Sequence, residues 1–329
     1  MEKDCQLSNN LTLHSICLGL NIQGMCPNLR SKSFWKLEML KEEILILKEQ
    51  SITVPFIAVT ESWIKPHISD GQLHITNYNI YRADRKLSKN GGVLVYVHES
   101  IIIDFSSSYD DDICSAVICI SKSKQCFISC VYRPPSCSDN SFLNVIKFIE
   151  NFIHKYNNLD KFNIFIFGDF NFPSIKWGIT SCGFPKYLST SLEVFKNFID
   201  ESFLSQYIHD YTRNSNILDL FLTDNPNFVQ LIKIDTIPYS DHNLVKIFTT
   251  YFSLKETISC NRVEDHHNFS TLNLNISDWS RVNSDFSCLD WDKIVSCPLN
   301  DFPDVFRNTV FEILSKHCKI NTSKQNSVL

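Results

Sequence analysis

The chain has 329 residues, 43% of them hydrophobic and 20% charged, with 13 cysteines and a formal net charge of −5. That length accommodates one large domain with an appendage. The cysteines are odd in number and scattered, with no CxxC pair and no zinc-like spacing, which argues against a disulfide framework or structural zinc and for reduced, buried thiols. Residues 1–10 are polar and apolar runs such as Ile164–Phe167 are far too short to span a bilayer, so the expectation is a soluble intracellular protein with no signal peptide and no membrane partner. Charge excludes less. Residues 1–255 hold 26 acidic and 24 basic residues, and five of those acids are candidate site carboxylates, so a nucleic-acid partner stays open.

In chain order, Ser15–Ile22 reads as a buried strand, and Ser33–Glu49 as an amphipathic helix with Phe34, Leu37, Leu40, Ile44 and Leu47 on one face. Val54–Thr60 is a second strand ending at Glu61. Leu73–Tyr81 and Gly92–His98 are strands flanking a polar connection, Arg82–Asn90. Ile113–Ile120 and Gln125–Tyr132 predict a hairpin about Ser121–Lys124, with Cys126 and Cys130 on one face of its second strand. The period then changes: Asp139 caps a helix through Tyr156, with Phe142, Val145, Ile146, Ile149 and Ile153 on one side. Asn163–Phe167 is a continuous apolar strand, Ser191–Glu201 a short helix, and Leu218–Thr223, Leu231–Ile237 and Leu244–Phe252 the final strands. Hairpins mixed with helical crossovers predict two packed sheets with helices outside.

Past residue 253 the composition turns polar and rich in Asn, Ser and Asp, with isolated Trp279 and Trp291 expected to pack rather than react. Phe302–Cys318 reads as a helix and the last ten residues as unstructured. A main domain over 1–253 and a linker-like, partly helical tail over 254–329 are expected.

Polar residues recur where predicted strands end, positions for which a core has no use. They are Asn21-Ile22-Gln23-Gly24, Thr60-Glu61-Ser62-Trp63, Tyr81-Arg82-Ala83-Asp84-Arg85 with Gly91-Gly92, Tyr132-Arg133-Pro134-Pro135, Gly168-Asp169-Phe170-Asn171 and Ser240-Asp241-His242. Asp219 sits between Leu218 and Leu220, where a lone buried carboxylate costs several kcal/mol unless it meets a donor such as His242. Glu61, Asp169 and Asp241, with amides from Asn21 and Asn171, make an all-oxygen set suited to Mg²⁺ or Mn²⁺ rather than Zn²⁺. Metal, an oriented histidine and amide donors together suit attack of water on a phosphodiester. Singly, each residue has a plainer reading: Arg82, Asp84 and Arg85 as a solvated ion-pair cluster, Tyr132 as packing, Gly168-Asp169 as a strand-to-turn junction.

The order of these segments across residues 16–252 resembles the endonuclease/exonuclease/phosphatase superfamily, and Thr60-Glu61-Ser62-Trp63, Tyr132-Arg133-Pro134-Pro135 and Asp169-Phe170-Asn171-Phe172-Pro173 resemble the endonuclease of non-LTR (LINE-type) retrotransposons. The resemblance implies a four-layer α/β/β/α sandwich of two mixed sheets flanked by helices. It also implies a Mg²⁺-dependent endonuclease that nicks DNA. Glu61 would bind the metal with Asn21 and Asp241 in or near its shell. Asp169 would orient or deprotonate water, Asn171 and Tyr132 would hold the phosphate, and His242, held by Asp219, would bond a non-bridging oxygen. Arg82 and Asp84 would support the rim, with Arg85 near DNA backbone. Nuclear location and a reverse transcriptase supplied in trans are further implications. Gln23 departs from an acid found there in several DNA-repair relatives. The alternatives are an abasic-site repair-like endonuclease of the same superfamily and, from another class, an inactive truncated element copy acting as a nucleic-acid-binding or interaction module.

Overall fold

Successive strand residues point to opposite sides of a sheet, and several strands here are apolar on both sides, so each sheet must be covered twice. The computed structural model describes residues 15–25, 35–157, 162–178, 182–252, 272–273, 279–291, 302–317 and 319–320. In chain order the elements of the larger unit begin with β1 (Ser15–Asn21), α1 (Trp35–Glu49), β2 (Phe56–Thr60), β3 (Tyr78–Ala83), β4 (Val93–His98), β5 (Phe105–Asp110) and β6 (Ser115–Ser121). There follow β7 (Cys126–Tyr132), α2 (Asp139–Asn157), β8 (Asn163–Asp169), β9 (Lys176–Trp177), β10 (Cys182–Gly183), α3 (Thr190–Glu201), β11 (Ser205–Gln206), β12 (Asp219–Thr223), β13 (Val229–Asp235) and β14 (Leu244–Thr249).

One six-stranded sheet runs β13-β14-β1-β2-β4-β3 and the other β11-β12-β8-β7-β6-β5. Each is mixed: β1 and β2 pair in parallel in the first, β7 and β8 in the second, and the remaining neighbours are antiparallel. Cys17, Phe56, Ala58, Val93 and Val95 turn one side of the first sheet toward Cys130 and Phe167 of the second. The alternate residues Ile16, Leu18, Ile57, Val59 and Leu94 face Leu37 and Leu40 of α1. Phe142, Val145 and Ile149 of α2 and Phe195 and Phe198 of α3 cover the outer side of the second sheet. The four-layer sandwich expected from the sequence is thus present. Gly19 fixes how closely the sheets approach, because a Cβ there would lie 2.1 Å from the ring of Phe167.

Three elements differ from the reading of the sequence. The strand expected over Leu73–Tyr81 is displaced to Tyr78–Ala83, since Asp70–Leu73 winds into a 3₁₀ turn and Asn77 takes φ +70°. β5, Phe-Ser-Ser-Ser-Tyr-Asp, was hidden by its polar composition; it is an edge strand whose Phe105 and Tyr109 stack on Phe152 and Phe148 of α2. β14 stops at Thr249, and the next residues turn inward: Phe252 packs on Phe56 and Phe165, with ring centroids 5.7 and 5.1 Å apart. The Tyr251 hydroxyl bonds the carbonyls of Lys124 and Gln125, so residues that follow the first sheet clasp the second.

The smaller unit spans Glu256–Leu329. Its described parts are β15 (Leu272–Asn273), α4 (Trp279–Ser287), α5 (Phe302–His317) and β16 (Lys319–Ile320), with β15 and β16 antiparallel. Trp291 lies against Phe306, and His317 Nε2 is 2.9 Å from Asp285 Oδ2. Trp279 begins a helix that its polar surroundings concealed. Ile320, the first of the ten residues expected to be unstructured, pairs with Leu272. Residues 321–329, most of the polar 254–300 stretch, the N-terminal residues 1–14, and Ser33 and Phe34 at the start of the expected first helix lie outside the described residues. No helix among the described residues is long and apolar enough to cross a membrane.

The aromatic clasp makes a prediction about extent. A chain ending at Lys255 keeps Phe252 and is expected to unfold as one cooperative transition in urea. Phe252→Ala in that chain is expected to lower its stability by about 3–5 kcal/mol. A broad, non-cooperative transition in the truncated chain would show that the smaller unit is needed for the fold.

Candidate active site

The inner faces of the two sheets open at one end of the sandwich, and the strand register sets a polar row there. Tyr132 ends β7 opposite Asp169, which ends β8, and Asp169 in turn faces Asp219, the first residue of β12. From the other sheet Asn21 ends β1 on the same inner side as Cys17 and Gly19. Its Nδ2 donates to Glu61 Oε1 at 3.1 Å and to Asp169 Oδ2 at 2.8 Å. An amide nitrogen has two protons, so its 3.5 Å approach to His242 Nε2 is a contact and not a third donated bond. Glu61 also accepts from the Tyr132 hydroxyl at 3.2 Å and from Trp63 Nε1 at 3.1 Å.

Backbone geometry brings Glu61 into place. Glu61 and Trp63 have φ of +50° and +54°, values that non-glycine residues seldom adopt and that cluster at functional sites. The segment is clamped from both sides: Gly24 and Met25 amides donate to the carbonyls of Glu61 and Ser62, and Ser62 and Trp63 amides donate to Gly92 and Gly91. Gly91 and Gly92 themselves have φ of +96° and +78°, and a Cβ on Gly91 would lie 2.3 Å from the Arg85 guanidinium.

Asp219 and His242 form a fully buried pair, Oδ2 to Nδ1 at 2.6 Å. Thr212 Oγ1 accepts from the amides of Leu218 and Asp219, fixing the start of β12. Ser240 fixes the other partner, accepting from the His242 amide and donating to the Asn21 carbonyl at 2.6 Å. Burial pulls the His242 pKa down, but Asp219, by charge and hydrogen bond, and Asp169 outweigh it and raise it to about 9. The imidazole is therefore a cation at neutral pH, with Nε2–H as its free donor. Burial pushes Asp169 well above the usual carboxylate range, helped by the charges of Asp219 and Glu61 and opposed by His242 and the Asn21 bond. Burial beside Glu61 and Asp169 likewise raises Tyr132, keeping it a neutral donor.

Asp169 Oδ1 and Asp219 Oδ1 are buried and have no hydrogen-bond partner among the described residues. Such acceptors are costly unless a cation, proton or substrate meets them. Ligand atoms of Asp169, Asp219 and His242 lie within 4.8 Å of one another, close enough to share a metal ion. Ligation by His242 would require the imidazole to give up a proton that the charge of Asp219 favours. The carboxylate of Glu61 is the more suitable donor for a hard cation and leaves the pair intact. Asn21 turns its Nδ2 to the carboxylates, and its Oδ1, which accepts from the Gln23 amide at 3.2 Å, keeps a second lone pair.

Asp241 lies at the exposed lip. Its Oδ2 is held by Arg213, from Nη2 at 2.6 Å and Nε at 3.1 Å, while Oδ1 lies 3.9 Å from His242 Nε2. Gln23 Oε1 accepts from the Asp241 amide and so braces the lip. Lys36 of α1 donates to the carbonyls of Ile22 and Gln23, and burial lowers its pKa against the opposing charges of Asp241 and Glu61.

Asn171, with φ +52°, donates from Nδ2 to the Arg133 carbonyl at 2.8 Å and retains a second amide proton. Arg133 Nη1 in turn donates to the carbonyls of Phe170 and Asn171 at 3.2 Å, its guanidinium 4.1 Å from the Phe172 ring centroid. Arg82 is an internal brace, bonded to the Ile68 carbonyl and paired with Asp70 and Asp84. Burial raises the Asp84 pKa; Arg82 opposes it and Asp70 and Asp110 add to it. Arg85, expected near DNA backbone, is instead 6% exposed, bonded to the Asn90 carbonyl, with its guanidinium 5.1 Å from the Tyr132 ring centroid. The supports the sequence did not announce are Lys36, Arg133, Thr212 and Arg213. Arg133 stood in a recognised motif without a role, and the other three carry no local pattern.

Comparison with known proteins agrees with this architecture. Residues 126–246, which include Tyr132, Asp169, Asn171, Asp219 and His242, match the family model described as endonuclease-reverse transcriptase. No curated protein matches. A solved 3′–5′ exonuclease (NExo) from Neisseria meningitidis aligns with TM-score 0.50 at 12% identity, over 71% of this chain and 99% of that one. The endonuclease domain of TRAS1, a telomere-specific non-LTR retrotransposon, aligns with TM-score 0.45 at 13% identity, over 72% and 98%. An AP endonuclease from Archaeoglobus fulgidus gives 0.48 at 11% identity, over 71% and 99%. At such identities the likeness concerns the fold. The resemblance to the endonuclease/exonuclease/phosphatase superfamily expected from the motifs is borne out.

The buried pair also sets a pH dependence of stability. Raising a histidine pKa from 6.5 to about 9 favours the folded state while the ring is charged, so this contribution is complete below pH 6.5 and lost as pH rises through about 9. Asp169, also raised, acts with the same sign. Urea unfolding midpoints are expected to fall across that window in the native chain and to fall less in Asp219→Asn. An equal slope in both would remove the pair as its source.

Proposed function

We propose that this chain, built on the endonuclease/exonuclease/phosphatase sandwich, is a divalent-metal-dependent phosphodiesterase that nicks DNA, as in target-site cleavage by a non-LTR retrotransposon. The observation that carries the reading is the desolvated Asp169, one oxygen tied to Asn21 and the other without a partner among the described residues, beside a charged His242–Asp219 pair. The oxygen donors Glu61, Asn21 and Asp241 would hold Mg²⁺ or Mn²⁺, and the bound ion would offset phosphate charge.

The protein groups divide the remaining work. Asp169, whose proton affinity burial has raised, takes a proton from the attacking water through Oδ1 as the new oxygen–phosphorus bond forms. His242 donates Nε2–H to a non-bridging oxygen, where charge builds as the ester bond to the leaving sugar oxygen breaks. Asp219 holds the ring by Nδ1 and sustains its charge. The second amide proton of Asn171 stabilises the same oxygens, and the Tyr132 phenol joins it by exchanging its bond to Glu61 for one to the phosphate. DNA as substrate, action in the nucleus and a reverse transcriptase supplied in trans belong to this reading. The intact bonded row Asn21–Glu61–Tyr132 favours it over a decayed element copy.

Purified protein is expected to convert supercoiled plasmid to the open-circular form with Mg²⁺ and to stop in EDTA. Nicking that persists after confirmed metal removal would falsify the metal requirement. Preference for abasic duplex over intact duplex by orders of magnitude would transfer the chain to repair chemistry.

A second expectation separates the pair from ordinary packing. His242→Ala is expected to slow cleavage by about 10²-fold or more, the usual scale for one preorganised donor. Asp219→Asn is also slow, and the double variant little worse than His242→Ala, since the two share one role. Independent multiplication of the defects in single-turnover kinetics would dissolve the pair.

A further inference from the structure

Most described cysteines are buried and chemically quiet: burial raises the thiol pKa of Cys17, Cys119, Cys126 and Cys130. Cys114 and Cys137 differ. Cys114 immediately precedes β6, Cys137 lies two residues ahead of α2, and their Sγ atoms are 3.0 Å apart. The backbone is fixed on both sides of this contact. The Cys114 amide donates to Asp111 Oδ1 at 2.7 Å, and the Cys137 amide donates to the Pro134 carbonyl at 3.1 Å. Asp111 Oδ2 accepts from Ser141 of α2 at 2.6 Å, so the two segments already share a hydrogen-bonded clasp. A disulfide requires the sulfurs to approach to roughly 2.0 Å, about 1 Å nearer than they stand.

The two thiols are also unequal. Cys114 is buried, and Cys137 is partly exposed. The hydrogen bond from Cys114 and the positive charge of Arg133 hold the Cys137 pKa below the ordinary thiol value, against burial and the charge of Asp111. Cys114, as the donor in that bond and buried, is raised. An accessible, more acidic sulfur beside a buried one is the arrangement in which the first attacks and the second resolves.

We infer that Cys114 and Cys137 form a reversible thiol–disulfide site, with Cys137 the attacking sulfur, Cys114 the resolving one, and a small-molecule disulfide such as oxidised glutathione the oxidant. The Cys137 thiolate attacks one sulfur of glutathione disulfide; the S–S bond breaks, and a glutathione thiolate leaves and takes up the thiol proton. Cys114 then loses its proton and attacks Cys137 Sγ, forming the internal disulfide and expelling the second glutathione. The protein is oxidised by two electrons and one glutathione disulfide is reduced to two glutathiones. The new bond ties the Asp111–Cys114 turn to the loop that leaves Tyr132 and Arg133. This site does not depend on the nuclease reading.

The test is peptide mapping of the native full-length chain after incubation with oxidised glutathione, with thiols blocked before digestion. The expected product is one linked peptide pair joining Cys114 to Cys137, reversed by dithiothreitol. Cys114→Ser is expected to stop at a stable glutathione adduct on Cys137, and Cys137→Ser to leave Cys114 unmodified. Oxidation is expected to lower the unfolding equilibrium constant of the wild-type chain by roughly 10²-fold and to leave that of Cys137→Ser unchanged. Because Cys137 is partly exposed, its serine variant serves as the folded control if Cys114→Ser proves unstable. A wild-type chain that keeps both thiols, that accumulates the adduct on Cys137, or that links either residue to another cysteine overturns the assignment.

Discussion

Two protons on one amide nitrogen hold together carboxylates that arrive from different sheets. Asn21 belongs to the sheet that also delivers Glu61, and Asp169 to the sheet that delivers Tyr132 and Asp219. Both acids face the same small volume, and without a donor between them their mutual repulsion in a desolvated space would push the sheets' ends apart. The amide satisfies one oxygen of each and still leaves Asp169 Oδ1 without a partner among the described residues. Much of the surrounding structure serves that juncture. Gly19 lets Phe167 approach the first sheet, the Gly91–Gly92 turn grips the residues around Glu61, and Ser240 ties the histidine loop to the carbonyl of Asn21 itself.

Electrostatics within the site follow from burial and not from net charge. Around Asp219 and His242 the interior favours a charged pair because each partner compensates the other within 2.6 Å. Asp169 has an amide and a more distant imidazolium, and its proton affinity rises accordingly. Neighbouring acids thus acquire different tasks from their surroundings, the pattern expected of a site that must both accept a proton and sustain a positive charge.

Much of this was legible in the residues. Strand ends such as Asn21, Tyr132 and Asp169 declare themselves because a polar residue closes an apolar run, and Asp219 because it interrupts one. The pairing of Asp219 with His242 could be anticipated from the cost of leaving either alone. Other features depend on three-dimensional placement. Arg213 meets Asp241 across 28 residues of chain, and Lys36 looks like any cation on the polar side of a helix until its ammonium is seen against the Ile22 and Gln23 carbonyls. Arg85 carries no sign in sequence that it turns inward onto Tyr132. β5 escaped because an edge strand with three consecutive serines lacks the apolar period that betrays its neighbours.

The position of Asp241 and Arg213 has a consequence for how solution conditions divide the site. Their side chains are 46% and 32% exposed, whereas those of Asp219 and His242 are essentially sealed. Mobile ions screen the first pair and scarcely reach the second. Ionic strength therefore acts on the lip, loosening the grip of Arg213 on its carboxylate, while the interior keeps its charge arrangement. The two ion pairs of this site sit in two dielectric environments, and salt separates them.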